Sequence, residues 1–481
     1  QRLCATFEIY NRQPRVTKRY LPFDRFTLAI RSTMLKRRDG EGKPLSLQPS
    51  TRGKSYDPAH LKRTPWILAA EHRLTLPPIS ADRSVSAQPH LTKPSQRACR
   101  LCKASLSFGS RDGIFGRRPC ANLQRSLHGR CSVTRPKLAI LVSFSGQGGV
   151  ERMIANLCQA LVDAPIDLDV LLIKARGPYV ERLPDAANII SLRARHSLTS
   201  VWEVARYLKR ERPDALLAIK HRGILAALRA RQLAGTDTPI SGRIGTTVSA
   251  ALANKSSRRR QRWYRAMCKH YPKLEKLIAV SQGVADDVLD ISGMSQARVT
   301  VVRNPTITPE MLVAATEPVE HPWLSPDNLV PVIMGVGRLT EQKDFATLIA
   351  AFAKVRSQQE ARLLILGDGG LRSELIAQAT ALGVDKHVAL PGFQSNPWAW
   401  MSRAAVFALS SRWEGSPNTL TEAMALGIPV VSTDCPSGPR ELLDAGRIAP
   451  LVKMGDVAVL AAALLSVLAK PPQSQMLTEA V

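Results

Sequence analysis

Short apolar runs alternate with amphipathic stretches of helical period along the chain from Lys137 onward. Residues 138–142 read as a buried parallel strand, followed by a glycine-rich loop (Ser145 to Gly149) and a helix over about 150–161. The series continues with strands at 169–173, 215–219, 240–244 and 277–280 and a helix at 201–209. It ends in a β-branched stretch at 298–303. Asn304-Pro305 breaks the pattern, and a second series opens at 330–336. It runs through a helix at 345–356, a strand at 362–366, a helix at 371–381 and strands at 387–390, 404–409 and 428–432. Alternation of this kind predicts parallel sheets with right-handed crossovers. The expected fold is α/β, two Rossmann-like doubly wound domains facing across a cleft. They are placed at 136–308 and 329–472, with a proline-rich linker at 309–328 and a tail at 473–481.

Charge changes the picture only for the first third of the chain. The net charge is +28 over 481 residues, and residues 1–136 carry 27 Lys/Arg against 8 Asp/Glu. That segment (1–135 as a domain) has no sustained period and is broken by Pro, Ser and Arg, so it reads as a low-order basic extension. It is taken as non-native, with the natural protein expected to start near Val133. Five of eight cysteines lie there (Cys4, Cys99, Cys102, Cys120, Cys131), and their spacing departs from the paired pattern of a zinc ribbon. Cys158, Cys268 and Cys435 are isolated and expected to be buried or inert thiols, which fits a reducing cytosol. The longest apolar run, 457–468, is short of the ~20 residues needed to span a bilayer and suits a buried helix.

Candidate chemistry concentrates at Glu414-Gly-Ser-Pro-Asn-Thr-Leu-Thr-Glu422. Ser416 and Pro417 read as a helix start, a side-chain cap and then a ring suited to the first turn. Glu414 then lies in the loop before the helix and Glu422 about a turn inside it. Between them are free N–H groups and the positive end of the helix, which suit a phosphate. Carboxylates flanking such a site can accept hydrogen bonds from sugar hydroxyls. Two glutamates at this spacing also occur on plain solvated helix faces. The apolar runs on either side place this pair at the carboxyl edge of a sheet, where ligands collect. After the strand at 330–336, Gly335-Val-Gly337-Arg338 and Lys343 form a turn with a bidentate cation and a point charge for a diphosphate. Gly148 and Gly149 allow close backbone approach ahead of a helix. The run Gly367-Asp368-Gly369-Gly370 reads equally as a tight turn, and Asp167-x-Asp169 as coincidence. His221 is a candidate acceptor-side residue.

Several motifs carry a family resemblance. They are Gly148-Gly149-Val-Glu151, Val280-Ser281, Arg303-Asn304-Pro305, Gly335-Val-Gly337-Arg338-Leu, Gln342-Lys343-Asp344, Gly367 to Gly370, Pro391-Gly-Phe393, the Glu414/Glu422 pair, and Cys435-Pro-Ser-Gly-Pro-Arg440-Glu441. Together, over about 137–470, the chain resembles a family 4 glycosyltransferase of the GT-B type, similar to members that build lipid-linked or cell-surface polysaccharides. The resemblance implies retaining transfer from a nucleotide-diphosphate sugar, without cofactor or obligatory metal. Arg338 and Lys343 would stabilise the departing diphosphate, and Glu414 would contact donor hydroxyls near the reacting carbon. Glu422 would hold the ribose, and Gly337, Ser416, Pro417, Asn418 and Thr419 would line the donor site. Gly148 and Gly149 would close over it from the other lobe. Front-face attack assisted by the leaving phosphate would need no enzymic nucleophile. Many relatives carry a histidine where this chain has Gly245-Thr246-Thr247. They also end in a helix crossing back to the first lobe, which this sequence reads as lacking, with reduced stability or activity expected.

The leading expectation is transfer of a hexose or N-acetylhexosamine to a glycan or lipid-linked saccharide, at the cytoplasmic side and peripheral to the inner membrane face. The basic segment from Ser256 to Trp263, with Trp263 and Trp398 as interfacial candidates, offers membrane contact. The alternatives are a nucleic-acid binder acting through the basic arm, for which no binding signature accompanies the charge, and a two-lobed nucleotide-sugar epimerase.

Overall fold

The computed structural model describes residues 135–481 apart from Gln147, Arg195 and Leu198. The basic extension before Arg135 and its five cysteines lie outside the described residues. In the first lobe the order is β1 (Lys137–Ser145), α1 (Gly149–Val162), β2 (Asp167–Arg176), β3 (Asn188–Ser191), α2 (Val201–Glu211), β4 (Ala215–Ile219) and α3 (Lys220–Ala234). It continues with β5 (Ile240–Ile244), α4 (Val248–Leu252), α5 (Ser257–His270), β6 (Lys276–Ala279), α6 (Gln282–Ser292) and β7 (Val299–Val301). The second lobe comprises α7 (Pro309–Ala314), β8 (Val332–Val336), α8 (Phe345–Arg356), β9 (Arg362–Leu366), α9 (Arg372–Ala381), β10 (Val388–Gly392), α10 (Pro397–Met401) and β11 (Val406–Leu409). After these come α11 (Asn418–Ala425), β12 (Val430–Thr433), α12 (Pro439–Leu442), β13 (Leu451–Val452), α13 (Val457–Ala469) and α14 (Ser474–Glu479).

Each lobe holds one parallel sheet, in the orders β3-β2-β1-β4-β5-β6-β7 and β10-β9-β8-β11-β12-β13. Helices cover both faces, so the inner strands are apolar throughout, as in the fully buried Ala215–Ile219. One face of the first sheet packs Ile140, Val142 and Ile219 against Met153, Ile154 and Leu157 of α1, and the other packs Ala139, Leu141 and Leu216 against α2 and α3. In the second lobe Ile333, Leu363 and Ile365 meet α8, α9 and α13, while Met334, Leu364 and Phe407 meet α10 and α11. Strand order reverses between β1 and β4 and between β8 and β11. Ligands of such sheets bind at these reversals, outside the strands' carboxyl ends.

Several local expectations change. Residues 309–328 were expected as a linker; they contain α7, and Met311 and Leu324 are buried in the second lobe's core. At the acidic segment the helix begins at Asn418, with Pro417 as its cap residue, so Ser416 is not the cap. Pro417 is extended (ψ 94°) and packs beside Gly438, which keeps it out of the first turn. Cys158 and Cys435 are buried, and Cys268 is exposed with its Sγ 2.8 Å from the Ile291 carbonyl. Trp398 is buried in the core and Trp263 is half-buried, stacked on His221, so neither ring stands free as an interfacial anchor. The segment after Lys470 forms α14, which packs against α11 and buries Leu477. No helix among the described residues is long and apolar enough to cross a membrane.

Candidate active site between the two lobes

The carboxyl ends of β8, β11 and β12 bring Lys343, Glu414 and Ser437 to one edge of the second lobe. Lys343 Nζ donates to Glu414 Oε1 at 2.6 Å, and Ser411 Oγ donates to the same oxygen at 2.7 Å. Glu414 is 7% exposed, so its charge is held by a cation and a hydroxyl rather than by water. A Cβ at Gly337 would press on the Lys343 side chain that reaches Glu414. Gly367 (φ +130°) and Gly369 support the same turn: a Cβ at either would run into the backbone of Gly337 or Leu339. The glycine run thus forms a tight turn in which Gly367 and Gly369 have no room for a side chain. Arg338 is exposed at the rim, its Nη2 3.5 Å from Gln342 Oε1, and Gln342 in turn donates to the Trp413 carbonyl.

Glu422 has no exposed surface, and Arg152 of α1 donates to its Oε1 across the seam between the lobes. The guanidinium of Arg152 also lies 5.0 Å over the Trp398 ring. Burial raises the Glu422 carboxyl above its ordinary value, against the opposing pull of Arg152. The Trp398 indole N–H also favours the charged form of Glu422, while Thr419 Oγ1 and Thr246 Oγ1 are buried without a hydrogen-bond partner. Buried polar atoms without partners are uncommon in folded proteins, and hydroxyls of this kind suit a polar ligand. Cys435, beside Glu414, is not a nucleophile: burial and then the Glu414 charge push its thiol up to about 12.

The first lobe supplies the opposite wall. Asn418 Nδ2 donates to the Gly149 carbonyl at 3.2 Å, so the glycine loop lies against the start of α11. Thr246 pairs with Gly415 as an antiparallel bridge, and the Thr247 N–H and Oγ1 both donate to the Glu414 carbonyl, at 3.3 and 3.1 Å. The loop where relatives were expected to carry histidine is thus bonded through its backbone to the acidic segment. Ser437 Oγ lies 3.0 Å from Ser281 Oγ, and Glu441 accepts from the Gln282 and Gly283 N–H groups at 3.0 Å each, capping α6 from the other lobe.

His221 is not free in this crevice. It is buried in the first lobe, stacked on Trp263 at 4.2 Å, with Nδ1 3.0 Å from Tyr271 Oη. Asp169 accepts from Tyr207 Oη (2.5 Å) and Asn188 Nδ2 (3.0 Å), a structural use that agrees with reading Asp167-x-Asp169 as coincidence. Among the described residues no three His, Cys, Asp or Glu side chains are grouped to hold a metal. Sequence reasoning missed Arg152, Thr247, Ser437 and Glu441 as seam residues. Arg152 had a signal: a charged position on the apolar face of an amphipathic helix, directly after the glycine loop.

Two parallel α/β lobes that meet over paired carboxylates and a cation define the GT-B glycosyltransferase class. Residues 147–308 match the family described as Glycosyltransferase Family 4, and residues 324–481 that described as Glycosyl transferases group 1. The chain belongs to these group 1, family 4 glycosyltransferases. It is 45% identical over 113 residues to an uncharacterized glycosyltransferase of Methanocaldococcus jannaschii, a match that covers 23% of this chain and 28% of that protein. It is 27% identical over 335 residues to the N-acetylgalactosamine-N,N'-diacetylbacillosaminyl-diphospho-undecaprenol 4-alpha-N-acetylgalactosaminyltransferase of Campylobacter jejuni, covering 66% of this chain and 86% of that one. Its fold superposes on the apo lipopolysaccharide outer core galactosyltransferase WaaB with a TM-score of 0.54 at 24% identity, covering 72% of this chain and 94% of that chain.

Proposed function

We propose that the chain is a retaining glycosyltransferase that moves a hexose or N-acetylhexosamine from a nucleotide-diphosphate sugar to a glycan or lipid-linked saccharide in polysaccharide biosynthesis. The observation that carries this reading is the meeting of Glu414, Lys343, Glu422 and the start of α11 in one interlobe crevice. The nucleotide's ribose would donate to Glu422 Oε2, the oxygen that Arg152 leaves open. The diphosphate would take the Asn418 and Thr419 amides at the start of α11, with Gly148, Gly149 and Gly337 close by and Ser416 and Pro417 in the adjoining loop. Lys343 and the rim cation Arg338 would neutralise charge as the sugar–phosphate bond breaks, the stage at which fixed cations help most, and no metal or cofactor enters the scheme. Glu414 would accept from sugar hydroxyls near the reacting carbon. The acceptor hydroxyl would then attack from the face the diphosphate leaves, passing its proton to a leaving phosphate oxygen.

The relative from Campylobacter jejuni, whose name gives a diphospho-undecaprenol-linked acceptor, supports a lipid-linked acceptor here. Contact with an anionic membrane through the exposed arginines of α5 accords with that acceptor. His221 is left without an acceptor-side role, because its ring is used inside the first lobe.

The test is a panel of nucleotide-diphosphate sugars offered to the full chain with an undecaprenyl-diphosphate-linked saccharide, in the presence of EDTA. The expected result is a product whose new linkage keeps the donor's anomeric configuration by NMR. In Glu414→Gln, kcat/KM should fall on the order of 10²–10³ without loss of fold. An inverted linkage, or turnover only after a divalent cation is restored, would overturn the mechanism.

A further inference from the structure

Arg243, near the carboxyl end of β5, is 2% exposed, and no carboxylate among the described residues is paired with it. Burial alone pulls its guanidinium down to about 10. A buried charge without a counter-charge is costly, so its retention calls for a reason. Its Nη2 donates to Asn304 Oδ1. Arginine has only donors, so this bond decides which way the Asn304 amide faces. With its oxygen taken, Asn304 presents Nδ2, which donates to Asn418 Oδ1 at 2.7 Å. Asn418 is left to present Nδ2, which donates to the Gly149 carbonyl at 3.2 Å. Four groups therefore form a chain with a single direction. It starts inside the first lobe, crosses the seam to the first residue of α11, and returns to the glycine loop.

We propose that Arg243 and Asn304 are positioning residues that set closure of the two lobes over the donor by imposing direction on this chain. The proposal rests on the donor site assigned above. A guanidinium at the head rules out the reversed set of amide orientations, in which Asn418 would turn its oxygen toward the Gly149 carbonyl. The buried charge thus acts at a distance, through two amides, on the loop that faces α11.

Asn304→Asp separates this role from simple packing. One Asp oxygen would accept from Arg243 and give the buried cation a counter-charge. The other would face Asn418 Oδ1, acceptor against acceptor, and a flipped Asn418 would set its oxygen against the Gly149 carbonyl. The experiment compares wild type, Asn304→Asp and Asn418→Asp as full chains by thermal melting, by hydrogen exchange, and by calorimetric titration with UDP, GDP and ADP. Asn418→Asp keeps its bond from Asn304, loses the donor to Gly149 and adds a carboxylate beside the diphosphate site, so its exchange pattern, and not its nucleotide affinity, serves if Asn304→Asp fails to fold. Asn304→Asp should melt at or above the wild-type temperature. In both variants amides over 148–156, 246–252 and 418–424 should exchange about tenfold faster, while those of β1 and β8 stay unchanged. Affinity for whichever diphosphate the wild type binds should drop about tenfold in Asn304→Asp. Wild-type exchange at the seam in both variants, or a lowered melting point with faster exchange everywhere, would overturn the proposal. If the wild type binds none of the three nucleotides, the donor assignment falls, and the exchange comparison still decides whether the chain governs closure.

Discussion

His221 is a residue whose chemistry is decided by its surroundings. Burial first, then the charges of Arg222 and His270, lowers its pKa from 6.5 to about 4, and the ring stays neutral between Trp263 and Tyr271. Because the folded value lies below the unfolded one, the unfolded chain takes up the proton first. The associated stability is present above the unfolded value and is lost as pH falls from 6.5 toward about 4. His221→Gln, which cannot be protonated in this range, should lose less stability on acidification. The gap in urea-derived stability between the two proteins should change by roughly 3 kcal/mol across that window. Parallel pH curves would show that the histidine does not titrate on unfolding. Sequence could list this histidine as a candidate, but its neighbours come from α5 and the turn after it, some forty or fifty positions away.

At the scale of elements, the strand–loop–helix unit around α11 was legible from its flanking apolar runs, and its precise start was not. The acidic segment's contacts explain why. Gly415 lies against the backbone of Gly245 and Thr246, and Pro417 against Gly438, so tertiary packing sets where the helix begins. A Cβ at Gly415 would meet the Gly245 carbonyl, which has no flexible end to move aside. Gly415→Ala should therefore break the Thr246 bridge and push the loops apart. We expect a loss of about tenfold or more in kcat/KM, with a stability change of about 1–3 kcal/mol because the cores of both lobes lie elsewhere. Unaltered kinetics in a folded Gly415→Ala protein would show that the bridge is dispensable.

For the whole molecule, the seam is where energy and function coincide. Arg152 is 9% exposed at its side chain and Glu422 not at all, and they sit on different lobes. Removing one partner of a buried pair leaves an uncompensated charge, whereas replacing both is far milder. Arg152→Met alone should cost about 3–5 kcal/mol in chemical denaturation, and adding Glu422→Gln should recover most of it. Since burial already raises the Glu422 carboxyl, the single variant's deficit should shrink at acid pH, where protonation removes the orphan charge. Additive costs in the double variant would mean that the two side chains do not depend on each other.

Local sequence determined the parallel sheets, the glycine turns and the candidacy of Glu414, Lys343 and Glu422, because strand period, helix period and turn chemistry act over a few neighbouring residues. Tertiary structure alone decided that Glu422 meets Arg152, that the Thr246–Thr247 loop bonds to the acidic segment, and that Arg243 directs a chain of amides ending at Gly149. Those pairings join residues from 61 to 270 positions apart, and no short-range pattern records which buried charge will find which partner once two lobes close.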